Sequence, residues 1–303
     1  MTDRGRDPAG LGPNGQDAAE LGTNGQDPAE RIRRRFQEHD PSAGHDTGGT
    51  PWAGRQLTST GFDGDTGEAA PELLAALAAH SATAASTGSA PHDPTSADTE
   101  AAFDADAHLV SLVARARLLV PVVAVAGETV EVDGLVSDAS SDMAAVTLVA
   151  PDGHRALPAF SSLQTLADWD ASARPVPVTA SRAAQAAVQE GCHEIVLDVG
   201  APTSATLRGS MVWALAMDRP WLPPHRDPQV RAGVEAAVAE EPSVLGVDLA
   251  GGPQGALRIE LRLRPGLGPE DLQQLARRIG ERIALDGEVR ARIDALAFSV
   301  AAG

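Results

Sequence analysis

The sequence predicts an α+β protein with mixed sheets, in which two small modules follow a long acidic arm. Residues 1–108 carry 18 of the 42 acidic residues but only 7 of the 24 arginines. From about Leu109 onward, apolar segments with the period of a strand alternate with segments that have the period of a helix. Residues 226–303 have the order helix, strand, strand, helix, strand, which is typical of a two-layer sandwich.

Residues 1–50 are predicted to form a disordered acidic arm. They are rich in Gly, Pro and Asp and almost lack Val and Ile, so they cannot bury enough apolar surface to offset the entropy lost on ordering. The decamer LGPNGQDAAE at 11–20 recurs as LGTNGQDPAE at 21–30. The arginines between Arg31 and Arg35 are expected to be solvated, and an anion-binding or partner-binding peptide is the alternative.

Residues 51–79 contain the first large apolar side chains, and we expect this segment to dock on the folded part. The residues expected to make this contact are Trp52, Arg55 and Phe62. Pro71 should begin a short helix with Leu73, Leu74 and Leu77 on one side.

Asp63 and Asp65 imitate the start of a calcium-binding loop. The sixth position is Glu68 instead of Gly, and the twelfth is Leu74 instead of a bidentate Glu, so a turn is the preferred interpretation. Residues 80–105 are rich in small and polar residues and are predicted to be a linker.

The first module is predicted to span residues 106–222 and to begin with a short helix, Asp106–Ala116. The strand Leu118–Val125 follows, and its nearly continuous apolar run is typical of a strand that is covered on both faces. An acidic loop is expected over 127–142. Pro151-Asp152-Gly153 suits a type I turn, so the strands before and after it should form a hairpin. These two strands are predicted at 143–149 and 155–160.

Helix caps define the rest of the first module. Ser161 or Ser162 can begin a helix that ends near Trp169, and Thr179 can begin another that ends at Gly191. The further elements predicted here are a strand at 176–178, a strand at 193–199 and a helix at 211–217.

The second module is predicted to span residues 226–303. Asp227 and Pro228 should begin a helix that buries Val230, Val234 and Val238. In LRIELRLR at 257–264, Leu and Ile alternate with charged residues, so one face of this strand should be buried and the other solvated. A strand at 244–249, an amphipathic helix from Pro269 and a strand at 293–300 complete the pattern.

Charge and cysteine content exclude several classes of protein. The formal net charge of −18 argues against binding nucleic acid or an anionic membrane. The most apolar run, Leu118 to Ala126, is about half as long as a membrane-spanning helix. Cys192 is the only cysteine, so no intrachain disulfide can form. No secretory signal is recognised at the N-terminus, and we expect a cytoplasmic protein.

Three residues are the candidates for contact with a ligand or partner: Asp198, Arg262 and Arg264. Asp198 follows a core strand at its carboxyl end, where α/β enzymes often place acids. Arg262 and Arg264 could form an anion site with Arg277, Arg278 and Arg282, although we expect these arginines to point to water.

The other candidate sites have a structural interpretation. Cys192 and His193 are adjacent at the start of a strand, so they point to opposite faces and cannot form a nucleophile and base pair. No histidines have metal-ligand spacing, and the glycines at 251, 252 and 255 lack the ending of a P-loop. We expect no metal and no cofactor.

The chain resembles the SseB family of bacterial proteins, named for enhanced serine sensitivity, in a form typical of high-GC bacteria. The resemblance rests on PWAGRQL and GFDGDTG at 51–67, ARLLVPVVAV at 116–125, the segment SDMAAVTLVAPDGHRALPAFSSLQTLADW at 141–169, RPVPV at 174–178 and RPWLPPH at 219–225. It implies an SseB N-terminal domain at 106–222 joined to a C-terminal one at 226–303. It implies no established reaction.

The preferred functional hypothesis is a non-enzymatic adaptor or regulatory protein that binds an unknown protein partner. The alternative is an enzyme or a sensor of a small, amino-acid-related ligand, with a pocket between the modules lined by Asp198 and some arginines. Self-association is a third hypothesis. The adaptor hypothesis predicts that a chain without residues 1–108 keeps a folded core but loses its partner.

Overall fold

In the computed structural model, the described residues are 61–88, 95–126, 129–132, 135–138 and 141–301. The predictions for the arm, its repeat and arginine cluster, and for Trp52 and Arg55, lie outside these residues. Residues 62–303 form one compact unit. The α+β class with mixed sheets is confirmed.

The described chain contains both helices and strands. The helices are α1 (Pro71–Gly88), α2 (Ser96–Val113), α3 (Leu163–Trp169), α4 (Ala180–Gln189), α5 (Gly209–Ala216), α6 (Pro228–Val238), α7 (Pro269–Leu285) and α8 (Gly287–Arg290). The strands are β1 (Arg117–Ala126), β2 (Thr129–Val132), β3 (Leu135–Asp138), β4 (Ser141–Ala145), β5 (Leu148–Val149), β6 (Arg155–Ala159), β7 (Arg174–Thr179), β8 (Glu194–Leu197), β9 (Ala205–Leu207), β10 (Val244–Gly251), β11 (Leu257–Leu263) and β12 (Leu296–Val300). Within the described ranges, no helix is both long and apolar enough to cross a membrane.

Helices α1 and α2 occupy most of the segment that the sequence predicts to be a linker. The Oγ1 of Thr95 accepts a hydrogen bond from the backbone N–H of Asp98, and the carboxylate of Asp98 accepts one from the N–H of Thr95. This reciprocal cap begins α2 ten residues before the predicted start at Asp106. The prediction of a linker at 80–105 is therefore wrong. The alanines of both helices favour helical backbone.

The two helices contribute to the main apolar core. Leu73 and Leu77 of α1 are buried in the same cluster as Leu109 and Val113 of α2. The described part of the expected docking segment therefore packs on the fold through α1. Leu74 is an exception, because it is 44% exposed instead of facing inward as predicted.

Arg117 ties the turn before α1 to the first module. Its Nε lies 2.7 Å from Oδ2 of Asp65, and its two Nη atoms donate to the carbonyl oxygens of Glu68 and Ser161. Phe62 is half-buried, and its carbonyl oxygen accepts from the N–H of Asp65. The GFDGDTG segment is thus a turn whose carboxylate pairs with an arginine.

Strand β1 is the centre of an antiparallel sheet with the order β4-β1-β7. Leu118 and Val120 belong to the main core, whereas Leu119 belongs to a second cluster with Phe160. The prediction that this strand is covered on both faces is correct for these residues.

The segment between β1 and β5 differs from its prediction. Residues 127–142, expected to be an acidic loop, contain the β2-β3 hairpin and the start of β4. The single strand predicted at 143–149 is divided between β4 and β5, which pair in different sheets. The register of each of these strands depends on contacts with strands that are distant in the sequence. A local pattern therefore does not predict where the segment divides.

The second sheet of the first module has the order β5-β6-β8-β9 and is mixed, because β6 and β8 are parallel. The predicted type I turn joins β5 to β6, and the N–H of Gly153 donates to the carbonyl oxygen of Ala150 at 2.9 Å. Of the two serines predicted as alternatives, Ser162 caps α3, and Thr179 caps α4 as predicted.

The second module is a three-stranded sheet, β10-β11-β12, covered on one face by α6 and α7. Asp227 caps α6, and Val230, Val234 and Val238 are buried as expected. Leu257, Ile259 and Leu261 are buried on one face of β11.

Helix α2 also connects the two modules. Its Phe103 lies against β10, where a Cβ on Gly251 would come within 2.6 Å of the aromatic ring. The ring also makes an edge contact with His225, at 4.8 Å between centroids. Since the other end of α2 lies in the first core, this helix holds both modules.

Candidate functional site

A buried polar cluster joins the modules beside α5. Arg208 precedes this helix, and its guanidinium lies between a carboxylate of each module. Its Nη2 is 2.8 Å from Oδ2 of Asp106, and its Nε is 3.1 Å from Oδ2 of Asp294. Burial alone would lower the pKa of Arg208, but the two carboxylates raise it above its ordinary value. We call Asp106, Arg208 and Asp294 the junction clamp.

Asp294 also completes the first turn of α5. Arg208 occupies the N-cap position but makes no capping hydrogen bond there. Instead, Asp294 accepts hydrogen bonds from the N–H of Ser210 at 2.7 Å and from its hydroxyl at 2.8 Å. A carboxylate from the second module thus binds the positive end of a helix in the first.

Three further groups enclose the clamp. The indole N–H of Trp221 donates to the hydroxyl of Ser210, and Nε2 of His80 lies 2.9 Å from Oδ1 of Asp106. Gly255 has a φ of +81°, and a Cβ there would come within 2.5 Å of the Arg208 guanidinium. The turn of the second module therefore needs glycine at this position.

A cavity of about 490 Å³ lies next to the clamp, between the two modules. This volume is within the range of about 300–1,000 Å³ that is usual for small-molecule sites. The residues that line it are His154, Val188, Gly191, Cys192, His193, Glu194, Arg208, Gly209, Ser210, Val212, Trp213, Arg290, Ile293 and Asp294. We call it the junction cavity.

The charged groups of the junction cavity differ in their partners. Arg290 is exposed, and no carboxylate among the described residues pairs with it. The hydrogen bond and charge of Asp152 raise the pKa of His154, whose ring lies 5.6 Å from that of His193. Glu194 and Asp294 supply negative charge. Arg290 is thus the cation of this cavity that is available to a ligand.

The predicted contact residue Asp198 does not line the junction cavity. It is 0% exposed. Its carboxylate accepts hydrogen bonds from the N–H and hydroxyl of Ser161 and from the hydroxyl of Thr165, at 2.7 to 2.9 Å. It therefore stabilises the connection between β6 and α3. The prediction that Asp198 lines a pocket between the modules is wrong.

Replacing Asp198 with Ala should lower the free energy of unfolding by about 2–4 kcal/mol. Three donors would lose their acceptor, and Ala would have to adopt the positive φ of 49° that Asp198 has. Asp198→Asn keeps one oxygen acceptor and tolerates this backbone, so we expect it to cost about half as much. Urea unfolding measures both values, and equal losses would contradict the hydrogen-bond explanation.

Arg262 lies on β11 and Arg264 directly follows this strand, and neither lines the junction cavity. The Arg262 side chain is 59% exposed, with its Nε 3.8 Å from Oδ2 of Asp248, and Arg264 is exposed as well. The arginines of the cavity are Arg208 and Arg290 instead. A role for Arg262 and Arg264 in binding a partner stays a prediction.

The other arginines of the predicted anion site do not join Arg262 and Arg264 in one site. Arg278 and Arg282 both pair with Glu241, a buried carboxylate, at 2.8 and 2.9 Å. The hydrogen bond from Arg278 is the main cause that holds the pKa of Glu241 below its usual value. Arg277 pairs with Glu281 on its own helix.

Cys192 is buried among apolar side chains, and this burial raises the pKa of its thiol. A raised pKa disfavours the reactive thiolate at neutral pH. Among the described residues, no group of three or more histidine, cysteine or acidic residues could hold a metal ion.

Comparison with known proteins identifies one part of the chain. Residues 95–214 match the family model of the SseB protein N-terminal domain. No curated protein and no solved structure matches the chain. The matched range begins at the Thr95 cap and ends in α5, so the C-terminal domain interpretation of 226–303 stays a prediction.

Proposed function

Because the chain belongs to the SseB family through its N-terminal domain at residues 95–214, we propose that it is a non-enzymatic adaptor or regulatory protein of the cytoplasm. It acts by binding another protein, and the binding surface is centred on α5. The observation that carries this proposal is an exposed pair of large apolar side chains at that helix, Trp213 and Met217.

Trp213 is 42% exposed and Met217 is 55% exposed. They are one helical turn apart, and the N–H of Met217 donates to the carbonyl oxygen of Trp213. Residues spaced in this way lie on the same face of a helix. Tryptophan is enriched among the residues that contribute most to protein interfaces, and methionine adapts to varied surfaces.

The clamp supports this proposal by fixing the position of α5. Asp294 binds the first turn of the helix, and Arg208 connects that turn to both modules. A surface presented on a fixed helix loses less conformational entropy when a partner binds.

The polar residues suggested by the sequence favour a binding protein over an enzyme. Asp198 has three donors and is fully buried, and Cys192 has a raised thiol pKa. The Asp198 carboxylate is therefore inaccessible to a substrate. The reactive thiolate of Cys192 is disfavoured.

Capture from native lysate with the Met217→Glu variant tests the proposal. We expect the full-length protein to retain a reproducible partner that Met217→Glu loses, because a carboxylate in an apolar contact must be desolvated. Leu285→Glu is the matched control, since Leu285 is 86% exposed on α7 of the other module.

Two results would contradict the proposal. In the first, Met217→Glu and Leu285→Glu retain the same proteins as the unaltered chain. In the second, light scattering finds a dimer that Met217→Glu converts to a monomer, which would assign this surface to a second copy of the chain.

A further inference from the structure

We propose that the junction cavity binds a small organic monoanion, with its anionic group on Arg290 and a planar apolar part on Trp213. This ligand site shares Trp213 with the proposed protein-binding surface, whereas Met217 lies outside the lining of the cavity. It places a ligand site between the modules, at residues other than Asp198, Arg262 and Arg264.

Arg290 differs in its pairing from most of the described arginines. Eleven described arginines make an ion pair within the chain, and the clamp holds Arg208 in this way on the wall of the same cavity. Arg290 lines the cavity without a carboxylate partner in the described structure. A guanidinium can bind a carboxylate or phosphate through two parallel hydrogen bonds.

The carboxylates of the cavity limit the charge of the ligand. Asp294 already accepts the hydrogen bonds of the α5 terminus and of Arg208, so these donors are not available to a second anion. Glu194 is a further acidic residue of the lining. A polyanion such as pyrophosphate would meet both carboxylates, whereas a single negative charge at Arg290 need not.

The apolar part of the lining indicates the rest of the ligand. Val212, Trp213 and Ile293 lie in the same lining as Arg290. Trp213 is 42% exposed, and its indole ring offers a flat surface for stacking. An aromatic or other planar carboxylate therefore matches both kinds of surface.

Titration of the full-length protein with benzoate tests this proposal. Benzamide has the same ring without the charge, and pyrophosphate is the polyanion. Isothermal calorimetry measures binding, and we expect benzoate to bind. Benzamide should bind at least about tenfold more weakly because it lacks the charged hydrogen bond to Arg290, and pyrophosphate should bind at least about tenfold more weakly because of charge repulsion.

Variants then locate the site. Arg290→Gln should weaken benzoate binding by about tenfold to a hundredfold, and Trp213→Leu should weaken it as well. Arg264→Gln is the matched control, because Arg264 is also exposed and without an ion pair in the described chain, but lies outside the cavity. It should bind benzoate unchanged, and thermal melting checks that all three variants fold.

The proposal is overturned if benzoate does not bind up to its solubility limit, or if benzamide or pyrophosphate binds as tightly. It is also overturned if folded Arg290→Gln binds benzoate like the unaltered chain, or if Arg264→Gln loses binding equally. Capture of a partner through Met217 is measured separately, so either proposal can fail without the other.

Discussion

Deletion of residues 1–108 is expected to unfold the protein, in contrast to the expectation from sequence that a folded core would remain. The deletion removes α1 and most of α2, including three large buried side chains, Leu73, Leu77 and Phe103. It also removes Asp106 of the clamp and the cap at Thr95. Each buried side chain of this size contributes about 1.5–3 kcal/mol. Loss of Asp106, one of the two carboxylates that pair with Arg208, costs about 1.5–3 kcal/mol more. Together these losses are comparable to the whole stability of a domain, about 5–15 kcal/mol.

Circular dichroism and urea unfolding measure this result. The comparison is a chain that begins at residue 61, which retains the whole compact unit at 62–303 and should unfold cooperatively. Phe103→Ala is a milder version of the same change and should cost about 3–5 kcal/mol. A cooperative transition in the chain without residues 1–108 would show that α1 and α2 are dispensable for folding.

Arg208→Met is expected to lower the free energy of unfolding by about 3–5 kcal/mol. The Arg208 side chain is only 21% exposed, and its removal leaves two largely buried carboxylates without their cation. The connection between the modules would be weakened at the same time, because Arg208 binds one carboxylate of each.

The matched control is Arg262→Met, which removes a pair that is about 60% exposed on both sides and should cost less than about 1 kcal/mol. Hydrogen exchange should show weaker protection of α5 in Arg208→Met and unchanged protection in Arg262→Met. Equal losses of stability in the two variants would mean that the clamp contributes no more than a surface ion pair.

Elements with local signals could be predicted from the residues alone. The caps at Ser162, Thr179 and Asp227 and the turn at Gly153 depend on hydrogen bonds over a few residues, so their residue types identify them. The alternation in β11 likewise determined which of its residues are buried.

Local signals were also present where the prediction failed. The segment Thr95-Ser96-Ala97-Asp98 has the spacing of a capping box, and the alanines that follow favour a helix. The high content of small and polar residues at 80–105 favoured the prediction of a linker instead. The buried Phe103, the one aromatic residue of α2, is the signal that α2 packs on the rest of the fold.

The contacts at the junction of the modules could not be predicted from the sequence. Arg208 and Asp294 are 86 residues apart, and Asp106 is 102 residues from Arg208, so no periodicity or spacing relates them. Asp198 and Arg290 could not be distinguished by sequence for the same reason. The Asp198 carboxylate meets three donors, whereas no carboxylate among the described residues pairs with the Arg290 guanidinium. Caps and turns satisfy backbone groups within a few residues, whereas the pairing of charged side chains depends on which surfaces meet when the two modules pack.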